Sequence, residues 1–118
     1  MGLFSRKRKG GAGSAPSGRS DRAAAERALE EWLAARRGVE VFVEPRTAVT
    51  GTTMLLVAHD GEFTRRPVAD ATAAKAFARA HTLPVYDANI VGYPQRMRDY
   101  SRRQTILRKR AQREALGD

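Results

Sequence analysis

Hydrophobic residues follow a helical period near both ends of the chain and a strand period between them. Residues 21–37 repeat apolar side chains on one helical face, with Asp21 or Ser20 as the expected N-cap and Gly38 as the stop. Residues 39–44 alternate in the way that is typical of a half-buried strand. The pattern therefore predicts an amphipathic helix followed by a strand.

The segment 52–68 predicts a β-hairpin. Asp60-Gly61 separates two strand-like runs, and a two-residue turn with positive φ at both positions is the usual solution for that dipeptide. Such a turn would pair His59 with Glu62. The first run is apolar on both faces, so we expect it inside the sheet, whereas the arginines and proline of the second run suit an exposed edge.

Two more helices and a short strand are predicted in the second half of the chain. A helix over 70–81 takes Asp70 as its N-cap, a strand follows over 83–87, and a last helix begins at Pro94. The predicted order is α-β-β-β-α-β-α. We predict an α/β (α+β) fold, a two-layer sandwich of a mixed or antiparallel sheet with helices mostly on one face.

The length of 118 residues fits one domain. We place that domain at residues 20–108. Residues 1–19 are basic and rich in glycine and serine, which predicts a disordered tail. Residues 109–118 are expected to be the frayed end of the last helix.

The net charge of +9 is concentrated at the two ends of the chain. Residues 1–22 and residues 96–118 each carry +5, whereas residues 38–95 carry −1. Basic ends on a nearly neutral centre favour an anionic partner, such as nucleic acid, an acidic protein or an acidic membrane surface.

Several classes of chemistry find no support in the sequence. The chain has no cysteine, which excludes disulfides, iron–sulfur clusters and thiolate metal sites. Phosphate-binding glycine loops, zinc motifs and hydrolase signatures are missing as well, so we expect no metal and no cofactor. We find no apolar run of membrane-spanning length and no signal peptide, and we expect a cytoplasmic protein.

Arginine and tyrosine alternate at the start of the last helix, which favours a binding module for nucleic acid or a ribonucleoprotein. Arginine neutralises phosphates, and aromatic rings can stack on bases. The candidate binding residues are Arg65, Arg66, Tyr93, Arg96, Arg98, Tyr100, Arg102 and Arg103.

Three alternatives remain open. The last helix carries an apolar seam, which would suit a protein partner or a homodimer. A surface cleft near Arg46, Tyr86, Asp87 and Tyr93 would suit a small enzyme, although we favour binding over catalysis. The basic tail would suit weak contact with a membrane surface.

Three sequence pieces stand out between Glu44 and Tyr100, about half of the chain: EPRTAVTGTT, DGEFTRR and LPVYDANIVGYPQRMRDY. They resemble a small family of uncharacterised proteins from GC-rich actinobacteria. The resemblance implies a bacterial, cytosolic context. It implies no activity and transfers no catalytic or binding residue.

Overall fold

The chain forms four helices and a four-stranded mixed sheet within residues 18–117, the part that the computed structural model describes. The predicted α+β fold and its element order are confirmed, with one short helix added. Most of the predicted tail lies outside the described residues. The elements are α1 (Arg19–Ala34), β1 (Glu40–Glu44), β2 (Thr53–Val57), β3 (Phe63–Pro67), α2 (Ala71–Ala80), β4 (Val85–Asp87), α3 (Ala88–Val91) and α4 (Gln95–Ala115).

The strands lie in the order β3-β2-β1-β4. Strand β2 pairs antiparallel with both β1 and β3, whereas β1 and β4 run parallel. All five residues of β2 are buried, which confirms that the apolar run lies inside the sheet. Strand β3 is an edge strand, and the proline at its end removes one backbone donor from that edge.

The main core lies between the sheet and the pair α1 and α2. Odd positions of β1 and even positions of β2 point into it, because successive side chains of a strand alternate between faces. Two alanines of α2 are fully buried there, so small side chains let that helix approach the strands closely. The buried members are Leu29, Val39, Val41, Val43, Met54, Leu56, Ala58, Ala74 and Ala78.

The opposite face of the sheet is covered by α3 and the beginning of α4. Phe42, Leu55 and Val57 form this second cluster with Ala88, and Phe63 and Met97 pack against it. The last helix thus lies on the other side of the sheet from α1 and α2, and it adds a partial layer to the predicted sandwich.

The hairpin turn is one residue longer than the sequence predicted. The Gly61 N–H donates to the Ala58 carbonyl (3.0 Å), and the Ala58 N–H donates to the Glu62 carbonyl (2.8 Å). Of the three loop residues only Gly61 has a positive φ, of 95°. The loop therefore has the form of a turn followed by a left-handed glycine, and the predicted pairing of His59 with Glu62 is wrong.

This change of register decides which way two arginines point. Arg65 pairs with Leu55 and Arg66 pairs with Met54. A slip of one residue moves every side chain to the other face. Arg65 consequently lies on the α4 side of the sheet, and Arg66 lies on the side of α1 and α2.

The helix ends confirm one predicted cap and correct another. The Asp70 carboxylate accepts the backbone N–H of Ala73 at 2.9 Å, as expected for an N-cap. Helix α1 begins at Arg19 after Gly18, without a side-chain cap. The predicted caps Ser20 and Asp21 lie inside its first turn. Helix α4 continues to Ala115, whereas fraying of its end stays a prediction.

The conformation of Gly61 also makes room for α4. A Cβ atom at this position would overlap the carbonyl oxygen of Arg96 and would come within 2.9 Å of the Tyr100 Cβ. The glycine is therefore required twice, once for its positive φ and once for the close approach of the helix.

We expect Gly61→Ala to lower the free energy of unfolding by about 2 kcal/mol or more, because it combines backbone strain with overpacking. Urea denaturation measures the loss. Gly51→Ala is the control, since nothing lies within 4 Å of its added Cβ and its φ is not positive. Equal stability of the two variants would contradict the assigned contact between the turn and α4.

Candidate nucleic-acid interface

Two glutamates of β1 project from the face of the sheet on which α4 lies. Glu40, Phe42 and Glu44 occupy alternate positions of one strand, so their side chains share a face. Phe42 belongs to the second core cluster, and a carboxylate stands on each side of it. Each carboxylate binds an arginine and a tyrosine from other elements.

The Glu44 carboxylate binds three side chains. The Arg65 guanidinium donates to both of its oxygens, from Nε at 2.7 Å and from Nη2 at 2.9 Å. The Thr53 hydroxyl donates at 2.6 Å, and the Tyr93 hydroxyl donates at 2.6 Å. This cluster joins the edge strand β3 and the segment before α4 to the middle of the sheet.

Glu44 is charged in this cluster. Burial by itself raises the pKa of its carboxyl, but the hydrogen bonds from Arg65, Thr53 and Tyr93 together bring that pKa below its ordinary value. The same contact with Glu44, followed by burial, raises the pKa of the Tyr93 hydroxyl. The Tyr93 hydroxyl therefore stays protonated and donates its hydrogen bond to Glu44. The hydrogen bonds to the charged Glu44 carboxylate stabilise the fold.

The Glu40 carboxylate anchors α4. Arg96 donates from Nη2 to Glu40 at 2.6 Å, and from Nε to the Ala58 carbonyl at 2.9 Å. The Tyr86 hydroxyl reaches the other Glu40 oxygen at 3.3 Å, while its ring lies 5.3 Å from the Phe42 ring. Arg96 therefore joins the first turn of α4 to the end of β2.

The predicted binding residues divide into two groups. In the first group, carboxylates bind Arg65 and Arg96, and Arg103 donates to the Asp60 carbonyl at 3.0 Å. Arg66 lies on the side of the sheet that faces α1 and α2, away from α4. Tyr93 is bound to Glu44. The guanidinium of Arg103 lies 5.9 Å from the ring of Tyr100, which packs by the hairpin turn. These side chains hold the domain together rather than forming one open surface.

A line of basic side chains runs along the outer face of α4. Arg98, Arg102, Lys109 and Arg113 follow one another at intervals of four, seven and four residues, which places them on one side of a helix. Met97 packs against the sheet from the other side. We call these four residues the basic stripe.

The basic stripe is open to solvent and weakly paired. Arg98 donates only to the neutral amide of Gln95, and Arg102 contacts Asp99 at 3.3 Å with 66% of its side chain exposed. Within residues 18–117, neither Lys109 nor Arg113 makes a side-chain hydrogen bond. No acidic residue occurs between positions 100 and 113.

Two members of the basic stripe were predicted as binding residues and two were missed. Lys109 and Arg113 fall in the segment that is predicted to fray, and they follow Arg102 by seven and eleven residues. That spacing is readable in the sequence once the helix is known to continue.

The four residues of the proposed enzyme cleft have separate contacts. Tyr86 binds Glu40 and Tyr93 binds Glu44, whereas the Asp87 carboxylate accepts the backbone N–H of Asn89 at 2.8 Å as the cap of α3. Arg46 is exposed in the loop after β1. None of the larger clefts among the described residues is lined by these four together.

No family model, no curated protein and no solved structure matches the chain. The resemblance to an actinobacterial family stays a prediction, and the functional argument depends on the geometry. Among the helices between positions 18 and 117, none is long and apolar enough to cross a bilayer.

We expect Glu44→Gln to lower the free energy of unfolding by about 1.5–3 kcal/mol at neutral pH, the usual loss for hydrogen bonds to a charged group. Since the folded-state pKa of Glu44 lies below its ordinary 4.5, its contribution is complete above that pH and is lost as the pH falls through the folded-state pKa. The difference between wild type and variant should therefore shrink below pH 4.5.

Thermal or urea unfolding between pH 3 and 8 measures this difference. Glu31→Gln is the control, because Glu31 is an exposed carboxylate on α1 that makes no side-chain hydrogen bond among the described residues. A difference that is constant over the whole range would mean that the Glu44 charge does not stabilise the cluster.

Proposed function

We propose that the protein is a nucleic-acid-binding module that contacts the phosphate backbone through the basic stripe of α4. The observation that carries this proposal is the alignment of Arg98, Arg102, Lys109 and Arg113 on an exposed helix face. Side chains that neutralise several phosphates at once release condensed counterions, which is the main source of non-specific affinity for nucleic acid.

The geometry of α4 suits an extended polyanion. The stripe from Arg98 to Arg113 is roughly 22 Å long at the helical rise per residue. Beyond Tyr100 every described residue of the helix except Thr105 is exposed, and Arg103 is the last one with a hydrogen bond to the rest of the domain among the described residues. An α-helix fits the major groove of duplex DNA, whereas the deep groove of duplex RNA does not admit one. Duplex DNA is therefore the better fit, and single-stranded RNA is the comparison.

The internally bound residues have a positioning role in this proposal. Arg65, Arg96 and Tyr93 are held by carboxylates, and releasing them to a phosphate would break those contacts. Their contribution is to hold α4 at a defined angle to the sheet, so that the basic stripe faces solvent.

A second candidate function is a protein or homodimer interface on the other side of α4. Leu107 is 53% exposed and Ala111 follows it at helical spacing, so the apolar seam extends past the domain without cover. This interface would make the mass of the protein depend on its concentration and would respond mildly to salt. Sedimentation at several concentrations distinguishes it from the nucleic-acid proposal.

We expect the triple variant Arg102→Gln, Lys109→Gln, Arg113→Gln to bind duplex DNA more weakly and with a smaller salt dependence. Losing three phosphate contacts should reduce the slope of log affinity against log salt by about 2.7. Glutamine has nearly the helix propensity of arginine and lysine, so α4 should stay folded. Fluorescence anisotropy of labelled duplex DNA and single-stranded RNA, titrated with the full chain at several salt concentrations, measures both quantities.

The matched control removes three exposed charges from the helices on the other side of the sheet: Arg27→Gln, Lys75→Gln, Arg79→Gln. It keeps the same net charge and the same tail as the triple variant. If both variants lose the same affinity, binding follows net charge and the proposed interface is wrong. If the wild type does not bind either nucleic acid at low salt, the proposed function itself is wrong.

A further inference from the structure

A groove of about 430 Å³ lies on the face of the sheet opposite to α4. It lies between α1 and α2, over strands β2 and β3. Its apolar lining consists of Leu29 of α1, Phe77 of α2, Met54 of β2 and Val68 just after β3. This volume lies within the range of small-molecule sites, which combine apolar surface with polar groups that orient the ligand. The charged or titratable residues that line the groove are Arg22, Glu26, Glu30, Arg65, Arg66 and His81.

One side of the groove carries an arginine whose hydrogen bonding is incomplete. Arg66 pairs in register with Met54, so its side chain lies on the groove side of β3. Its Nε is buried and has no hydrogen-bond partner among the described residues. An unpaired buried donor of a charged group is unfavourable, and an acceptor brought to it would be favourable.

The charges around the groove favour a carboxylate next to Arg66. Arg22 and Arg66 line the groove, and so does Arg65, although its guanidinium lies on the α4 face of the sheet. The Arg65 guanidinium is already paired with Glu44, whereas no acidic side chain is paired with Arg66 among the described residues. The groove acids, Glu26 and Glu30, belong to α1 on the opposite wall. A guanidinium and a carboxylate match each other with two parallel hydrogen bonds.

We propose that this groove binds a small amphipathic carboxylate, whose charged end pairs with Arg66 and whose apolar part lies between Leu29 and Phe77. A neutral apolar molecule would leave Arg66 unpaired. An inorganic anion would leave the apolar lining uncovered. A molecule with a carboxylate and an apolar part pairs with Arg66 and also covers the apolar side chains of the groove. A small shift of the long Arg66 side chain brings its donors to the carboxylate.

This site is independent of the proposed nucleic-acid interface. The sheet lies between the groove and α4, and the two sites share no residue. Failure of one proposal therefore does not affect the other.

Octanoate and its neutral analogue 1-octanol are the probes, titrated below micellar concentrations into the full chain. Trp32 is the single tryptophan and packs against the same core as Leu29, so its fluorescence reports binding, and amide chemical shifts locate it. We expect octanoate to bind at the groove roughly tenfold more tightly than octanol, the gain expected of one charge-assisted hydrogen bond.

Arg66→Gln should remove this preference, whereas Arg79→Gln, an exposed arginine on α2, should keep it. Ala25→Phe fills the groove from the α1 side without deleting a core side chain, and it should abolish binding of both probes. Equal affinity of the wild type for the two probes would overturn the proposal. Octanoate binding that survives Ala25→Phe, or shifts confined to other elements, would overturn it as well.

Discussion

The bond between Arg96 and Glu40 determines where the last helix lies, and the candidate interface depends on it. Helix α4 has 21 residues and none is fully buried, so its apolar contact with the second core cluster is limited to residues near its start, such as Met97. Arg96 instead reaches a carboxylate of β1 and a carbonyl just beyond β2. Because a guanidinium has its donors in a rigid plane, satisfying both acceptors restricts the orientation of the first helical turn.

The hairpin turn contacts α4 and helps to hold that helix in place. Gly61 allows the backbone of α4 to approach, and Arg103 donates to the neighbouring Asp60 carbonyl. Arg36 pairs with Glu62 on the other side of the turn at 2.6 Å. The turn is thus bound from both sides, and its three-residue form is part of what holds α4 in place.

Arginines serve two purposes in this domain, and their surroundings decide which. Arg65 and Arg96 meet carboxylates on a half-covered face of the sheet, where pairing is stronger than in open solvent. Arg102 lies on an exposed helix, where a contact with Asp99 contributes little. Arg65 and Arg96 stabilise the fold, whereas the side chain of Arg102 stays largely exposed to solvent.

The separation of the two proposed sites follows from the sheet. One face supports α4 and leaves its outer side to solvent. The other face is covered by α1 and α2, which do not close over the edge strand and leave the groove between them. The proposed polyanion interface and the proposed small-ligand groove thus lie on different sides of the same four strands.

The sequence alone determined the order of the elements and all of them except the short helix α3. The periodicities of apolar residues, the Asp70 cap and the apolar run of β2 depend on neighbouring residues, which the sequence displays directly. The positions of the glutamates in β1 are also informative, because side chains alternate along a strand and Glu40 and Glu44 must lie on the same face as Phe42. That pattern could have shown that some of the nearby arginines would be paired.

The tertiary structure decided the hairpin register, the side of the sheet taken by α4 and the pairing of the arginines. A dipeptide such as Asp60-Gly61 is compatible with two turn lengths, and the three-residue loop of the folded chain places Arg65 on the α4 face of the sheet. Contacts between residues 21 to 56 positions apart, such as Arg65 with Glu44 and Arg96 with Glu40, select among local alternatives of similar free energy. Local patterns do not contain those contacts, and so the division between structural and exposed arginines became visible only in the folded chain.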